Sequence, residues 1–208
     1  LPVSRPMNFS QASSMMMDKG NHRHFMAKEI EEQPEVVGHT LAEYVDFSTR
    51  TVKVPEKLPF DFTSLDRLTI TACGTAFYGG LVAKYWFERI ARLPTEVDIA
   101  SEFRYREAPL TPNGLSIVIS QSGETADTLA SLRYSKSQGQ HTLALVNVPE
   151  STIAREASVA LRTYAGPEIG VASTKAFTCQ LAALACLALL AAKQRGHLSK
   201  ALEQELVG

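Results

Sequence analysis

Several things are scarce in this 208-residue chain, and each scarcity closes off a class of protein. Excess charge of one sign is missing: 21 Lys and Arg stand against 22 Asp and Glu, a net charge of −1. No overall positive field is therefore present to neutralise a nucleic-acid backbone, and any bound anion must be held by local donors. Cysteine is sparse, and Cys73, Cys179 and Cys186 lie in apolar surroundings without the paired short spacings of zinc or redox motifs. That predicts no metal cluster, no cofactor and a reducing, cytoplasmic setting. The longest apolar run, "LAALACLALLAA" at 181–192, falls well short of the roughly 20 residues needed to span a bilayer. A buried helix is expected there, with no membrane contact. The opening "LPVSRPMNFSQASSMMMDKG" lacks both an initiator Met and the apolar core of a signal peptide, so 1–21 reads as a linker or disordered start. Neither G-x-x-x-x-G-K-[ST] nor G-x-G-x-x-G occurs, since Gly74, Gly79 and Gly80 have the wrong spacing. A nucleoside triphosphate or a dinucleotide is not indicated.

What is present is an ordinary globular composition, 45% hydrophobic and 21% charged, able to bury one sizeable core. Residues 22–64 read as a helical arm, two helices separated near Pro34, followed by a surface connection with at most one short strand. From Leu65 the pattern alternates. "RLTITACG", "TEVDIAS", "LSIVIS", "HTLALVNV" and "VALRTYA" are β-rich, whereas "TAFYGGLVAKYWFERIAR", "GETADTLASLRYSKSQG" and "VASTKAFTCQLAALACLALLAAKQRG" carry apolar residues at helical spacing. Strands alternating with helices imply an α/β fold: a three-layer α/β/α sandwich with a five-stranded parallel sheet over 65–196. Residues 197–208 read as the start of a further connection.

Open α/β sheets bind ligands at the carboxyl ends of their strands, beside helix amino termini. Two strand ends are rich in donors: "CGTAF" after the first strand and "SQSGET" after the third. Ser120, Ser122 and Thr125 offer hydroxyls, Gln121 an amide, and Gly123 a backbone that an anion can approach without a β-carbon between. Each segment opens a helix whose first N–H groups lack intrahelical partners, so a phosphate monoester is the natural guest. The simpler reading of Ser122 and Thr125, a helix cap and a solvated first-turn residue, is outweighed by the combination of strand, glycine, donors and helix.

The blocks "ACGTAFYGGLVAKYWFE", "VDIASEFRYRE", "ISQSGETADTLASLRYSK", "NVPESTIARE" and "EIGVASTKAFTCQL", in this order, resemble the first sugar-isomerase (SIS) repeat of the glucosamine-6-phosphate synthase family. "HFMAKEIEEQP" resembles that family's entry into its isomerase domain. The resemblance implies a flavodoxin-like sheet. It also implies part of an enzyme that makes glucosamine 6-phosphate and glutamate from fructose 6-phosphate and glutamine, with either sugar phosphate as ligand. It places Ser120, Gln121, Ser122 and Thr125 on the phosphate, Thr75 near the sugar or its phosphate, and Ala172 and Ser173 along the sugar's other side. Glu168 would organise the pocket. Ala76 stands where the family often has serine, which removes one donor.

The family's glutaminase domain has no counterpart in these residues, and its general base, ring-opening histidine and Schiff-base lysine belong to a second repeat and tail. This chain is therefore expected to be a fragment with no catalytic residue of its own. Local residues offer no convincing substitute: His22, His24 and His141 read as structural or solvent-exposed, Cys73 as a small core residue, and Lys175 as either a ligand neighbour or a surface lysine. A non-catalytic sugar-phosphate sensor is the alternative. Finally, the alanine-rich last helix is apolar over more of its circumference than one sheet face would cover. That predicts a packing partner, which the family supplies as the paired repeat and the second subunit of a homodimer.

Overall fold

The strand β5 (Gly114–Ser120) shows how the sequence builds the sheet: Leu115, Ile117 and Ile119 turn to one face, and Ser116, Val118 and Ser120 to the other. Every residue of it is buried, as befits a parallel strand covered on both sides. The computed structural model describes residues 18–208, so most of the expected linker at 1–21 lies outside the described residues. Around β5 stand β3 (Arg67–Ala72), β4 (Thr95–Ile99), β6 (His141–Val146) and β7 (Val159–Arg162), all parallel, in the order β4-β3-β5-β6-β7. The chain moves outward from β3 in one direction and then in the other. The flavodoxin-like switch point thus falls between the carboxyl ends of β3 and β5.

Helices α3 (Gly74–Arg89) and α7 (Lys175–Gln194) cover the face lined by Leu68, Ile70, Ile117 and Leu143. Helices α5 (Ala126–Ser137) and α6 (Thr152–Glu156) cover the other through Leu132 and Ile153 on Val118 and Val146, with α4 (Ala100–Arg106) beside α5. This is the expected three-layer sandwich.

The arm is α1 (Phe25–Glu31) and α2 (Gln33–Tyr44), with Pro34 in the first turn of α2. It is built into the core. Tyr44 is fully buried, its hydroxyl donates to the Arg162 carbonyl at 2.7 Å, and the Thr40 hydroxyl donates to the Thr163 carbonyl. Burial pushes the Tyr44 phenol far above its ordinary range. Much of the α7 surface expected to need a packing partner is covered within the chain: α2 and α3 pack on it, and between Lys175 and Ala192 no residue is exposed, while Phe177, Leu181, Ala185 and Leu189 are half-buried. By length and composition its 20 residues could cross a membrane, but most of the helix is buried within the fold.

One expectation needs correction. The stretch expected to hold at most one short strand forms a hairpin, β1 (Val45–Asp46) with β2 (Thr51–Val52), and buries Val52, Phe62 and Leu65. The Asp46 carboxylate closes its turn by accepting from Ser48 N–H at 2.9 Å and Ser48 Oγ at 2.6 Å. The Ser48 and Thr49 hydrogen bonds hold its carboxyl down at about 2. Within 197–208, read as the start of a further connection, lies a helix, α8 (Lys200–Val207). Its Glu203 is 1% exposed and accepts from Val52 N–H and Lys193 Nζ, both at 2.9 Å.

Candidate functional site

At the switch point Ala72 pairs with Ile119, so the segments that follow these two residues emerge side by side. Thr75 lies half-buried in the first turn of α3, whose N-cap Cys73 makes no side-chain cap. Across from it the 120–125 loop is internally braced. Ser120 is buried, its Oγ accepts from Gly123 N–H at 3.0 Å, and it lies 2.9 Å from Thr125 Oγ1. Two hydroxyls sharing one hydrogen bond leave one O–H for a ligand. Ser122 is exposed and its Oγ accepts from Glu124 N–H at 3.2 Å, which leaves its own proton free to donate outward.

Two residues of this loop also have partners within the fold. The Gln121 amide, expected to face the anion, donates through Nε2 to the Gly166 carbonyl at 3.3 Å, and Asn147 Nδ2 donates to the same carbonyl at 3.0 Å. Gln121 Oε1 is left buried without a partner among the described residues. Gly123 is required by the fold itself: its φ is +66°, and a β-carbon there would overlap the Ser151 side chain.

The second wall is the loop between β7 and α7. The expected helix from Val171 starts only at Lys175, because the Glu168 carboxylate holds the helix start through Thr174 N–H at 2.8 Å and Ala176 N–H at 3.1 Å. Ala172 is exposed and Ser173 half-buried at the crest of this loop. Lys175 is neither a surface lysine nor a free ligand neighbour. It is 4% exposed, and its Nζ meets Glu32 Oε2 at 2.6 Å. Burial alone would raise the Glu32 carboxyl; the hydrogen bond and charge of Lys175, with Lys28, outweigh that and hold it below its ordinary value.

The helix ends around the crevice are not equivalent. The start of α6 is taken by Ser151, which accepts from Ala154 N–H, and by Glu124, which accepts from Thr152 N–H at 2.7 Å. The start of α7 is taken by Glu168. Helices α3 and α5 have no side-chain cap, so their N–H groups and dipoles remain available to an anion at the switch point. Asn147, Ser151, Glu29 and Glu32 were not singled out from the sequence; the last two lie in the "KEIEE" of the arm, a motif seen only as a family signature. Among the described residues no group of three or more His, Cys, Asp or Glu is placed to hold a metal ion.

Comparison with known proteins agrees with this geometry. A glutamine–fructose-6-phosphate aminotransferase [isomerizing] of Bradyrhizobium diazoefficiens is 69% identical over 94% of the chain, and one of Brucella abortus 63% identical over 99%. The chain spans about a third of these relatives' length, 32% and 34% respectively. The solved C-terminal domain of glucosamine-fructose-6-phosphate aminotransferase from Francisella tularensis superposes with a TM-score of 0.84 at 43% identity, over 91% of this chain and 54% of that one. The SIS-domain family matches residues 61–190, a span that takes in all five strands, the 120–125 loop and most of α7, and the chain therefore belongs to that family.

Proposed function

We propose that this chain is the fructose-6-phosphate-binding part of an aminotransferase that makes glucosamine 6-phosphate from fructose 6-phosphate and glutamine. The observation that carries the reading is the pair of uncapped helix starts at α3 and α5, beside the hydroxyls of Ser120, Ser122 and Thr125, in a chain 69% identical to a protein of that name. These hydroxyls and the α5 N–H groups hold the phosphate, Thr75 faces it from α3, and Ala172 and Ser173 line the sugar. At roughly 1.5–3 kcal/mol per hydrogen bond to a charged partner, three or four contacts support micromolar binding once the cost of immobilising the ligand is subtracted. Gln121 serves by holding Gly166, and Glu168 by fixing the helix start next to Ser173. No residue of this chain is given a role in proton transfer or covalent chemistry; it binds and orients.

A cytoplasmic setting fits the three free thiols, two of them buried. A homodimer, with no nucleic-acid or membrane partner, rests on the family resemblance and the near-neutral charge. The test is calorimetric titration with fructose 6-phosphate and glucosamine 6-phosphate, against unphosphorylated fructose and inorganic phosphate. Binding of both sugar phosphates without binding of fructose is expected. Absence of binding at millimolar sugar phosphate overturns the reading.

A further inference from the structure

The loop that carries Ala172 and Ser173 is held by the arm rather than by the sheet alone. Glu29 of α1 is 2% exposed, and its carboxylate accepts from Ile169 N–H at 2.6 Å and from Gly170 N–H at 3.0 and 3.1 Å. A buried carboxylate with its charge matched by backbone N–H groups is a strong, directional anchor. The fit is close on the other side too, since a β-carbon at Gly170 would collide with that carboxylate. One helical turn on, Glu32 takes Lys175 at the root of α7. The loop is thus pinned at 169–170 and again at 174–176, where Glu168 and Glu32 act, while Val171 and Ala172 between the pins are exposed.

We infer that Glu29 is a positioning residue for the sugar-contacting loop: the arm, outside the 61–190 SIS match, sets where Ala172 and Ser173 stand relative to the 120–125 loop. The inference rests on the sugar-phosphate reading above. It separates two functions along one ligand. At the phosphate end the hydroxyls of Ser120, Ser122 and Thr125 are bonded within the 120–125 loop, whereas the sugar end is bonded to the arm. A defect at Glu29 should therefore cost affinity for the sugar and leave affinity for bare phosphate unchanged.

The experiment is titration of the chain and its Glu29→Gln variant with fructose 6-phosphate and, separately, with inorganic phosphate, with amide exchange of the loop measured on both. Expected are faster exchange at Ile169 and Gly170, about tenfold weaker binding of fructose 6-phosphate, and unchanged binding of inorganic phosphate. Glu29→Asp, which keeps the charge, should recover part of the loss. Gly170→Ala approaches the same contact from the loop side, keeps the arm intact should Glu29→Gln fail to fold, and should reproduce the sugar-selective loss. If the parent binds fructose 6-phosphate and the folded variants bind it equally well, the positioning role is overturned and the sugar-phosphate reading stands. If the parent binds neither ligand, that reading falls and the inference with it.

Discussion

Replacing Gly123 with alanine tests whether the turn after β5 is shaped by its own neighbours or by the ligand. Two costs can be worked out. The residue sits at φ +66°, where a side chain costs about 1–2 kcal/mol, partly offset by about 0.4–1 kcal/mol from the reduced freedom of the unfolded chain. The new β-carbon also overlaps Ser151, which is buried, donates to the Val148 carbonyl at 2.7 Å and caps α6. Displacing it forfeits a cap of about 1 kcal/mol and adds overpacking of about 1–3 kcal/mol. Together the substitution should destabilise by about 2–6 kcal/mol. Urea unfolding followed by far-ultraviolet circular dichroism reads this as a lower midpoint at unchanged slope. The decisive control is Ser151→Gly, which removes the overlapping atoms: in that background Gly123→Ala should cost less than about 2 kcal/mol, a coupling of about 2–4 kcal/mol. Equal costs in the two backgrounds would refute the steric argument and return Gly123 to a ligand-facing role.

Ser122→Ala removes an exposed donor and should leave the urea midpoint within about 0.5 kcal/mol of the parent. It should weaken fructose-6-phosphate binding about 10- to 100-fold, the value of one hydrogen bond to a charged group; equal affinities by calorimetry would sink the phosphate assignment. The Glu32–Lys175 pair should respond asymmetrically, because Lys175 is the buried member. Glu32→Ala strands an ammonium in the interior and should cost about 3–5 kcal/mol, whereas Lys175→Met keeps the apolar stem, leaves Glu32 beside Lys28 and should cost about 1 kcal/mol. The Glu32 carboxyl lies below its ordinary 4.5, so its stabilisation is complete above that value and is lost as pH falls through the lower folded one. An acid-unfolding limb no flatter in Glu32→Ala than in the parent would contradict this.

The sheet was legible because its periods are unmixed. Leu115, Ile117 and Ile119 alternate with Ser116 and Val118, and the helices repeat their apolar residues at the longer spacing. The hairpin at 45–52 was not, since a two-residue strand contains no full period to read. Of the site, the hydroxyls of "SQSGET" were legible as a strand end facing a helix start, a local feature. What escaped were pairings across the chain. Lys175 looks like a surface lysine until Glu32, 143 positions earlier, is placed beside it. Glu29 contacts amides 140 and 141 positions away. Much of the unaccounted circumference of α7 escaped for the same reason: α2 of the arm and α3 pack on it, and sequence distance hides that packing.

The carboxylate at the start of α7 has a consequence for which way round a ligand can lie. With Glu124 occupying one helix end and Glu168 another, the crevice has an electropositive pole at α3 and α5 and a quenched pole at α7. A phosphosugar is itself a two-ended object, anionic at one end and neutral at the other. On the proposed function it would meet a crevice of matching polarity, and a reversed guest would set its dianion against Glu168. On that reading orientation, and with it which carbon is presented away from the 120–125 loop, would be decided by where the protein has already used up its own helix ends.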